Sequence, residues 1–311
     1  MGDQGFANAT RVDRGLAESA FEDHAGFQSG KLPSPLFRRD AACKYKANRI
    51  QEIMNQVQES LSNSQTEEDS AKNQGPNTIF ASIIKSDLPR SEVTPERLNH
   101  EAISLIGAGI ETTMRALVVS IFHITNTPWV SERLREELRS AIPDPDNIPS
   151  WETLGKLPFL SACVNESLRL SYGATQRMPR VLDQESIQYK EYILPRGAAV
   201  SMDIYDVSHD EDIFPNSHTY NPARWLDGAQ TPDGRQLSRY MVTFGRGSRS
   251  CVGMQLAYAE IFVGIASLVR QFDFELFETD RSDVDAARDV LVPRPKRASR
   301  GVRVLVKKAE V

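Results

Sequence analysis

Phe244-Gly245-Arg246-Gly247-Ser248-Arg249-Ser250-Cys251-Val252-Gly253 is the most informative segment of this 311-residue chain. It places one cysteine on a loop with three glycines, directly before an apolar segment. Because glycine adopts backbone conformations closed to other residues, we expect the loop to curl until its N–H groups point at the sulfur of Cys251. A helix N-terminus favours thiolate, the form of cysteine that binds metals. The stretch therefore predicts a metal-bound thiolate; the alternative is a turn before a core helix, with Cys251 simply buried.

Length and composition are those of a folded globular chain. The 311 residues are 40% hydrophobic and 25% charged, which is enough to bury a sizeable core. A formal net charge of -5 without a basic cluster argues against nucleic acid as a partner, because phosphates require a face rich in Lys and Arg. Cys43, Cys163 and Cys251 are scattered. This pattern excludes a disulfide framework and a cysteine zinc site, and it is typical of a reducing compartment.

The histidines do not indicate a metal centre. No pair among His123, His209 and His218 has the helical spacing with a nearby carboxylate that motifs such as H-E-x-x-H use. We interpret all three as surface or core residues.

Hydrophobic periodicity predicts a mainly α domain with a minor β-sheet. Helices are expected over 33–61, 95–126, 128–140, 158–171 and 253–270, with a polar loop over 62–77. Short strands are expected over 187–194, around Val200, over 272–277 and over 302–306, and the last two could pair. One helix is expected to carry a solvated charged face formed by Arg133, Glu136, Glu137 and Arg139.

No targeting or membrane segment is expected. The first thirty residues contain charged side chains throughout and no sustained apolar run. The most apolar segment, 102–125, is interrupted by Glu111, Arg115 and His123, whereas a spanning helix needs about 20 nearly uncharged residues. We interpret it as the buried helix of a soluble fold.

Gly107-Ala108-Gly109-Ile110-Glu111-Thr112-Thr113 lies within that helix. Each glycine inside a helix costs about 1 kcal/mol relative to alanine, so some benefit should offset it. Close packing against another helix is one explanation. The other is an open groove beside Gly109, with Glu111 and Thr112 supplying an acid and a hydroxyl for proton delivery.

Glu166 and Arg169 lie three residues apart, on one face of a predicted helix. Most such pairs are solvated salt bridges that contribute little. Here the flanking residues are largely apolar, which predicts burial, and a buried charge needs partners.

The string from Phe244 to Gly253 fits the pattern F-x-x-G-x-R-x-C-x-G, and it resembles the haem-binding signature of the cytochrome P-450 superfamily. The resemblance implies that Cys251 is the axial ligand of the haem iron and that Arg249 pairs with a haem propionate. It also implies that Phe244 covers the sulfur side of the ring, and that Gly245 and Gly253 shape the cofactor loop.

Two further motifs are similar to those of the same family. Residues 108–113 resemble its A/G-G-x-D/E-T-T helix, which implies that Ala108 and Gly109 open an oxygen groove over the haem. Glu111 and Thr112 would then be catalytic. Glu166 and Arg169 resemble its E-x-x-R helix, and the third partner would be Arg224 in a structural network that holds the cysteine loop in place.

Between these motifs, the resemblance assigns a substrate-facing segment. Arg180 would be a second propionate contact, and Ala174, Thr175 and Gln176 would line the substrate pocket. An ordinary loop with solvated arginines is the alternative.

As to activity, the resemblance implies haem b as cofactor and electrons from NADPH through a reductase. One oxygen atom from O₂ would be inserted into a lipophilic small molecule. The segment Arg-Leu-Ser-Tyr-Gly followed by Arg-x-Pro-Arg is similar to the corresponding segment of fungal secondary-metabolite members of the trichodiene-oxygenase type. The protein is expected to be a monomer and not to bind nucleic acid. Family members sit on the cytosolic face of the endoplasmic reticulum, but with no anchor visible a cytoplasmic location is expected.

The resemblance covers residues 94–311, and the upstream half of typical members has no counterpart. We therefore expect one partial, N-terminally truncated cytochrome P-450 domain over 1–311, with remnant helices over 1–61, a polar loop and lead-in over 62–93, and the haem-binding core over 94–311. Two functions stay open: a haem-thiolate monooxygenase, and a truncated, catalytically inactive remnant or incomplete gene model.

Overall fold

The computed structural model describes residue 55 and residues 79–84, 86–181 and 185–309. The chain divides into two compact units, Met1–Arg49 and Ile50–Val311, and every described residue belongs to the second. The helix expected over 33–61 and the polar loop expected over 62–77 fall outside the described residues, apart from Asn55.

Helices dominate the described residues. The α-helices are α1 (Ile79–Ile84), α2 (Pro95–Asn126), α3 (Pro128–Ala141), α4 (Trp151–Leu154), α5 (Pro158–Ser171), α6 (Ile204–Ser208) and α7 (Met254–Gln271). Short 3₁₀ turns cover Arg90–Glu92, Pro222–Trp225, Leu237–Tyr240, Gly247–Arg249 and Arg281–Asp283. The four long predicted helices from residue 95 onward are confirmed to within one residue at each end. The expected lead-in, the later part of 62–93, contains α1 and the first 3₁₀ turn.

The described strands form four separate antiparallel pairs rather than one minor sheet. They are β1 (Arg180–Val181), β2 (Ile187–Tyr189), β3 (Tyr192–Leu194), β4 (Ala199–Val200), β5 (Phe272–Leu276), β6 (Arg288–Val290), β7 (Val292–Arg294) and β8 (Val304–Lys308). β1 pairs with β4, β2 with β3, β5 with β8, and β6 with β7. The expected pairing of 272–277 with the later strand is confirmed, although that strand lies two residues further along and joins Phe272 to Lys308.

Local chemistry sets where the long helices begin. Thr94 caps α2, because its hydroxyl oxygen accepts the N–H of Arg97 at 3.2 Å, and Pro95 occupies the first helical position. Proline also opens α3 at Pro128 and α5 at Pro158. Proline cannot extend a helix toward its N-terminus without losing a hydrogen bond, so each start is sharply defined.

The core lies where α3, α5 and the second halves of α2 and α7 meet. α2 contributes Val119 and Phe122, and α7 contributes Ile265, all fully buried. The two helices approach closely at Gly264, where an added Cβ would lie 2.9 Å from Leu117 Cδ2. A larger residue at 264 would therefore require the Leu117 side chain to move.

The expectation of a buried α2 is correct mainly for its second half, where seven of the nine buried residues of the helix lie. By length and composition α2 could cross a membrane, and only 28% of its most apolar window is buried. Ile103 and Leu105 on the first half, and Met114 just past the middle, are exposed large apolar residues. Among the described residues, the second half of the helix packs in the core and most of the first half is exposed.

The charged face of α3 is not simply solvated as expected. The Glu137 carboxylate accepts the backbone N–H groups of Phe159 and Leu160, at 2.9 and 2.8 Å. Arg133 lies over the Phe159 ring, with its guanidinium carbon 4.4 Å from the centroid. Glu137 thus caps α5 from a neighbouring helix, because the Pro158 start leaves those N–H groups without partners inside the helix.

Candidate functional site

The loop that carries Cys251 is closed by one hydrogen bond. The N–H of Cys251 donates to the carbonyl of Phe244 at 2.8 Å. Gly245 and Gly247 adopt φ angles of 69° and 78°, a region that other residues enter only with strain. The loop then passes through a 3₁₀ turn at Gly247–Arg249. Cys251 is exposed at the tip, just before α7 begins at Met254.

Two expectations for this loop are corrected. Within the described residues no N–H group donates to the sulfur of Cys251, and the N–H groups of Ser250 and Cys251 bond to the carbonyls of Gly247 and Phe244. Gly253 has an ordinary φ of -87°. An added Cβ there would lie 3.9 Å from Cys251 Sγ, which is normal contact. The exposed position of Cys251 also rules out the alternative of a simply buried cysteine.

Among the described residues, the glycine segment of α2 has no neighbour packed against it. A Cβ added at Gly107 or Gly109 would meet no atom within 4 Å, and Ala108 is exposed. The described residues therefore contain no helix packed against these glycines, which argues against close packing as their explanation. The Thr112 hydroxyl donates to the Ala108 carbonyl at 2.7 Å. Its lone pairs stay able to accept a hydrogen bond from a ligand in the groove.

Glu111 is held by a partner that lies far away in sequence. Its carboxylate forms an ion pair with Arg294, at the end of β7. One turn along α2, buried Arg115 donates to the Val284 carbonyl at 2.5 Å. Both contacts tie α2 to the chain segment 284–294. The acid beside the groove therefore has a fixed position.

Glu166 is the centre of a fully buried network. It accepts Arg169 Nε and Nη2 at 2.9 and 2.8 Å, and Arg224 Nε at 3.1 Å. The Asn221 N–H and the Trp225 indole add bonds of 2.9 and 2.8 Å. Burial alone would raise the pKa of Glu166, but the hydrogen bonds and charges of Arg169 and Arg224 outweigh it and lower the pKa. The structure thus brings the three sequence-predicted residues together as an ionised cluster.

The network also anchors the chain that follows it. Arg169 Nη1 donates to the Ser208 carbonyl at 2.7 Å, and its guanidinium carbon lies 5.1 Å from the Phe214 ring centroid. Arg224 Nη1 donates to the Pro215 carbonyl at 3.0 Å. α5 is therefore fixed to the segment 208–225.

Arg180 and Arg249, the two expected anion contacts, are both exposed. Within the described residues neither guanidinium forms a hydrogen bond or an ion pair. Both cations are therefore free to bind an external anionic group.

The segment expected to line a substrate pocket is mixed in its exposure. Thr175 is buried, with its hydroxyl donating to Asp289 at 3.0 Å and its N–H to the Leu291 carbonyl at 2.9 Å. Ala174 is half-buried and Gln176 is exposed. The Thr175 hydroxyl is thus committed to the β6–β7 hairpin, while Ala174 and Gln176 are the members left accessible.

The side chains of His209 and His218 pack against each other. The His209 and His218 rings stack with centroids 4.0 Å apart, and His209 also contacts Tyr172 and Ser217 at 2.8 and 3.1 Å. Burial, and then the neighbouring His218, lower the pKa of His209 to about 4. A stacked pair bonded to hydroxyl groups on both sides is a structural arrangement.

Sequence reasoning missed three residues around the site. Arg294 lies 183 residues from Glu111, a separation that no local pattern reveals. Arg246 Nη2 donates to the carbonyls of Ser238 and Arg239, at 2.8 and 2.7 Å. Thr243 binds α5. Arg246 lies within the cysteine motif and Thr243 directly precedes it. This proximity is the one sequence signal that could have indicated a role for them.

Comparison with known proteins identifies the family of this chain. The family model described as "Cytochrome P450" matches residues 28–299. The chain is 48% identical to cytochrome P450 monooxygenase orf4 of Eupenicillium brefeldianum, over 73% of this chain and 45% of that protein. It is 44% identical to cytochrome P450 monooxygenase sdnE of Sordaria araneosa, over 74% and 44%. It is also 38% identical to cytochrome P450 monooxygenase aflU of Aspergillus parasiticus, over 74% and 46%. The chain spans about half the length of the curated relatives it matches.

Proposed function

This chain belongs to the cytochrome P450 family, and from that membership we propose that it supplies the haem-binding part of a haem-thiolate monooxygenase. The observation that carries the proposal is the exposed Cys251 at the tip of its closed loop. A thiolate there can reach a metal outside the chain, and thiolate ligation favours cleavage of the O–O bond.

The described residues fit a haem group in three respects. A soft sulfur donor is accessible at Cys251. Arg180 and Arg249 are cations without a partner in the described part of the chain, as two propionates would require. Exposed apolar side chains are available to cover a macrocycle, among them Ile103 on α2 and Leu256 on α7.

When bound, haem b supplies the iron at which O₂ is activated. The chain's own residues have the remaining tasks. Cys251 would hold the metal, and the open space at Gly107 and Gly109 would admit a small molecule to the face of α2. Thr112 would accept and pass a proton through its hydroxyl, and Glu111, fixed by Arg294, would serve as the acid that supplies it.

For the whole protein we propose that one oxygen atom from O₂ enters a lipophilic small molecule in fungal secondary metabolism. NADPH would supply the electrons through a reductase. The support is the identity of 38–48% to fungal cytochrome P450 monooxygenases. Ala174 and Gln176, the accessible members of their segment, are the proposed substrate contacts.

One observation favours a second candidate, haem binding without coupled oxygenation. In the described part of the chain the groove at Gly109 is uncovered, and Val252 beside the cysteine is 94% exposed. Oxygen chemistry requires a site from which water is excluded. An uncovered site would release peroxide rather than product.

The test is the absorption spectrum of the purified 311-residue chain after haem loading and reduction under carbon monoxide. A strongly red-shifted Soret band is expected for thiolate ligation, and Cys251→Ala should abolish it. Cys163→Ala is the matched control, because burial raises the pKa of that thiol and keeps it from any ligand. Loss of the band in both variants, or in neither, contradicts the assignment of Cys251. A normal band with peroxide as the main product selects the second candidate.

A further inference from the structure

The location of Cys251 depends on the residues just before its loop. The N–H of Cys251 is bonded to the Phe244 carbonyl, and the N–H of Gly245 donates to the Val242 carbonyl, both at 2.8 Å. Every residue from Gly245 to Val252 is exposed. The loop therefore has little packing of its own, and its base at residues 242–244 sets where the sulfur lies.

Thr243 attaches that base to the helix of the buried network. Its hydroxyl donates to the Leu168 carbonyl at 3.0 Å, and Leu168 lies between Glu166 and Arg169 on α5. Met241 Sδ, at 3.4 Å from the same hydroxyl, is a weaker acceptor. One side chain thus joins the ion network of α5 to the residue that precedes the cysteine loop.

Gly173, which follows the end of α5, also lies against Thr243. Gly173 has a φ of 74°, and a Cβ added there would lie 2.6 Å from the Thr243 carbonyl oxygen. No side chain fits at that distance without moving the loop base. Two independent contacts, one hydrogen bond and one close backbone approach, therefore fix Thr243 against the end of α5.

The other attachments of the loop are of a different kind. In the described part of the chain, the Arg246 side chain bonds to the carbonyls of Ser238, Arg239 and Met241, which lie on the segment that leads into the loop. The Phe244 ring packs beside Tyr258, with centroids 5.2 Å apart. Thr243 is the residue whose side chain bonds the loop base to α5.

We propose that Thr243 is a positioning residue for Cys251, and that its hydroxyl transmits the fixed position of the Glu166 network to the thiolate. The inference rests on the proposed function, because the position of the sulfur matters only if the sulfur binds haem. The Glu166 network does not contact Cys251. The proposed link between the two is the hydrogen bond from the Thr243 hydroxyl to the Leu168 carbonyl.

The first measurement needs no haem. Thr243→Val keeps the shape of the side chain and removes its hydroxyl. A hydrogen bond of ordinary strength alters a local opening equilibrium about fivefold. We therefore expect amide hydrogen exchange in the peptide covering 244–251 to rise about fivefold in the full haem-free chain, with exchange in α7 unchanged.

Ser171→Ala is a matched control, because the buried Ser171 hydroxyl donates to the same Leu168 carbonyl at 3.1 Å. It removes an equivalent bond without touching the loop, so loop exchange should stay within twofold of the parent. Thr243→Ser, which retains the hydroxyl, should restore protection. Gly173→Ala, which displaces the Thr243 carbonyl, should raise loop exchange as Thr243→Val does.

Unchanged loop exchange in Thr243→Val, or an equal rise in Ser171→Ala, overturns the proposal. If Thr243→Val does not fold, unchanged loop exchange in Gly173→Ala overturns it in the same way. In haem-loaded protein, Thr243→Val should show a larger fraction of carbonyl complex without thiolate ligation. A parent chain that never forms the thiolate complex defeats the proposed function, whereas a thiolate-ligated parent with unchanged loop exchange in Thr243→Val defeats the role of Thr243 alone.

Discussion

The imidazole of His123 lies parallel to the phenol ring of Tyr220, with ring centroids 4.9 Å apart and planes 4° apart. Both side chains are buried, and the Tyr220 hydroxyl donates to the Cys163 carbonyl at 3.2 Å. Burial, and then the charge of Arg281, lower the pKa of His123 to about 3. The stacked ring is therefore neutral in the folded protein, and it joins α2 to the segment that carries Arg224.

We expect acid to weaken the fold through His123. The unfolded chain binds a proton at this residue with a pKa of about 6.5, whereas the folded chain does so only near pH 3. Stability is thus complete above about pH 6.5 and is lost as the pH falls toward 3, by up to about 1.4 kcal/mol per unit. His123→Phe keeps a stacked ring that does not titrate. In denaturant unfolding, the parent should lose roughly 2 kcal/mol more than the variant between pH 7 and pH 5. Equal losses would contradict the burial of a neutral imidazole.

Glu166→Ala should cost about 3 to 5 kcal/mol of folding free energy, because it leaves two guanidinium groups and an indole N–H without their buried acceptor. Thermal unfolding followed by circular dichroism measures the loss. Glu136→Ala, at an exposed position of α3, should change stability by less than about 0.5 kcal/mol. Near-identical melting of the two variants would mean that the network contributes no more than a surface bridge.

The carboxylate of Glu137 is expected to contribute about 1 to 2 kcal/mol as the cap of α5. Glu137→Gln removes the charge and one of the two acceptor oxygens, so it should show most of this loss in urea unfolding. Glu136→Gln is the control, since it makes the same chemical change one residue away on the exposed surface. The result that contradicts the cap is an equal midpoint for both variants.

Thr112→Val should leave haem binding unchanged and reduce the product formed per electron, because it removes the hydroxyl beside the Gly109 groove. A loss of about tenfold or more is expected where proton delivery limits the reaction. The measurement is the ratio of product to peroxide in the complete, reductase-supplied enzyme. Thr113→Val tests whether the effect belongs to position 112, and equal coupling in both variants would exclude Thr112 from proton delivery.

Local signals predicted the elements that local chemistry controls. Prolines and caps predicted the starts of α2, α3 and α5, and the glycine spacing within 244–253 predicted a cysteine on a loop directly before α7. Long-range contacts were not predictable in the same way. Nothing near Glu137 in the sequence indicates that it caps α5, and nothing near Glu111 indicates Arg294. Such pairs arise from how helices meet in space, which periodicity does not report.

The pairing of β5 with β8 has a consequence for the order in which the protein is made. β5 follows directly after α7, the helix that begins beside Cys251, yet its partner is residues 304–308. During synthesis, which adds roughly 5 to 20 residues per second, β5 lacks its partner among the described strands until residues 304–308 leave the ribosome. Its open edge is available to other nascent chains in that interval. If the site forms only after β5 and β8 have paired, a cofactor can bind only after synthesis of the chain is complete.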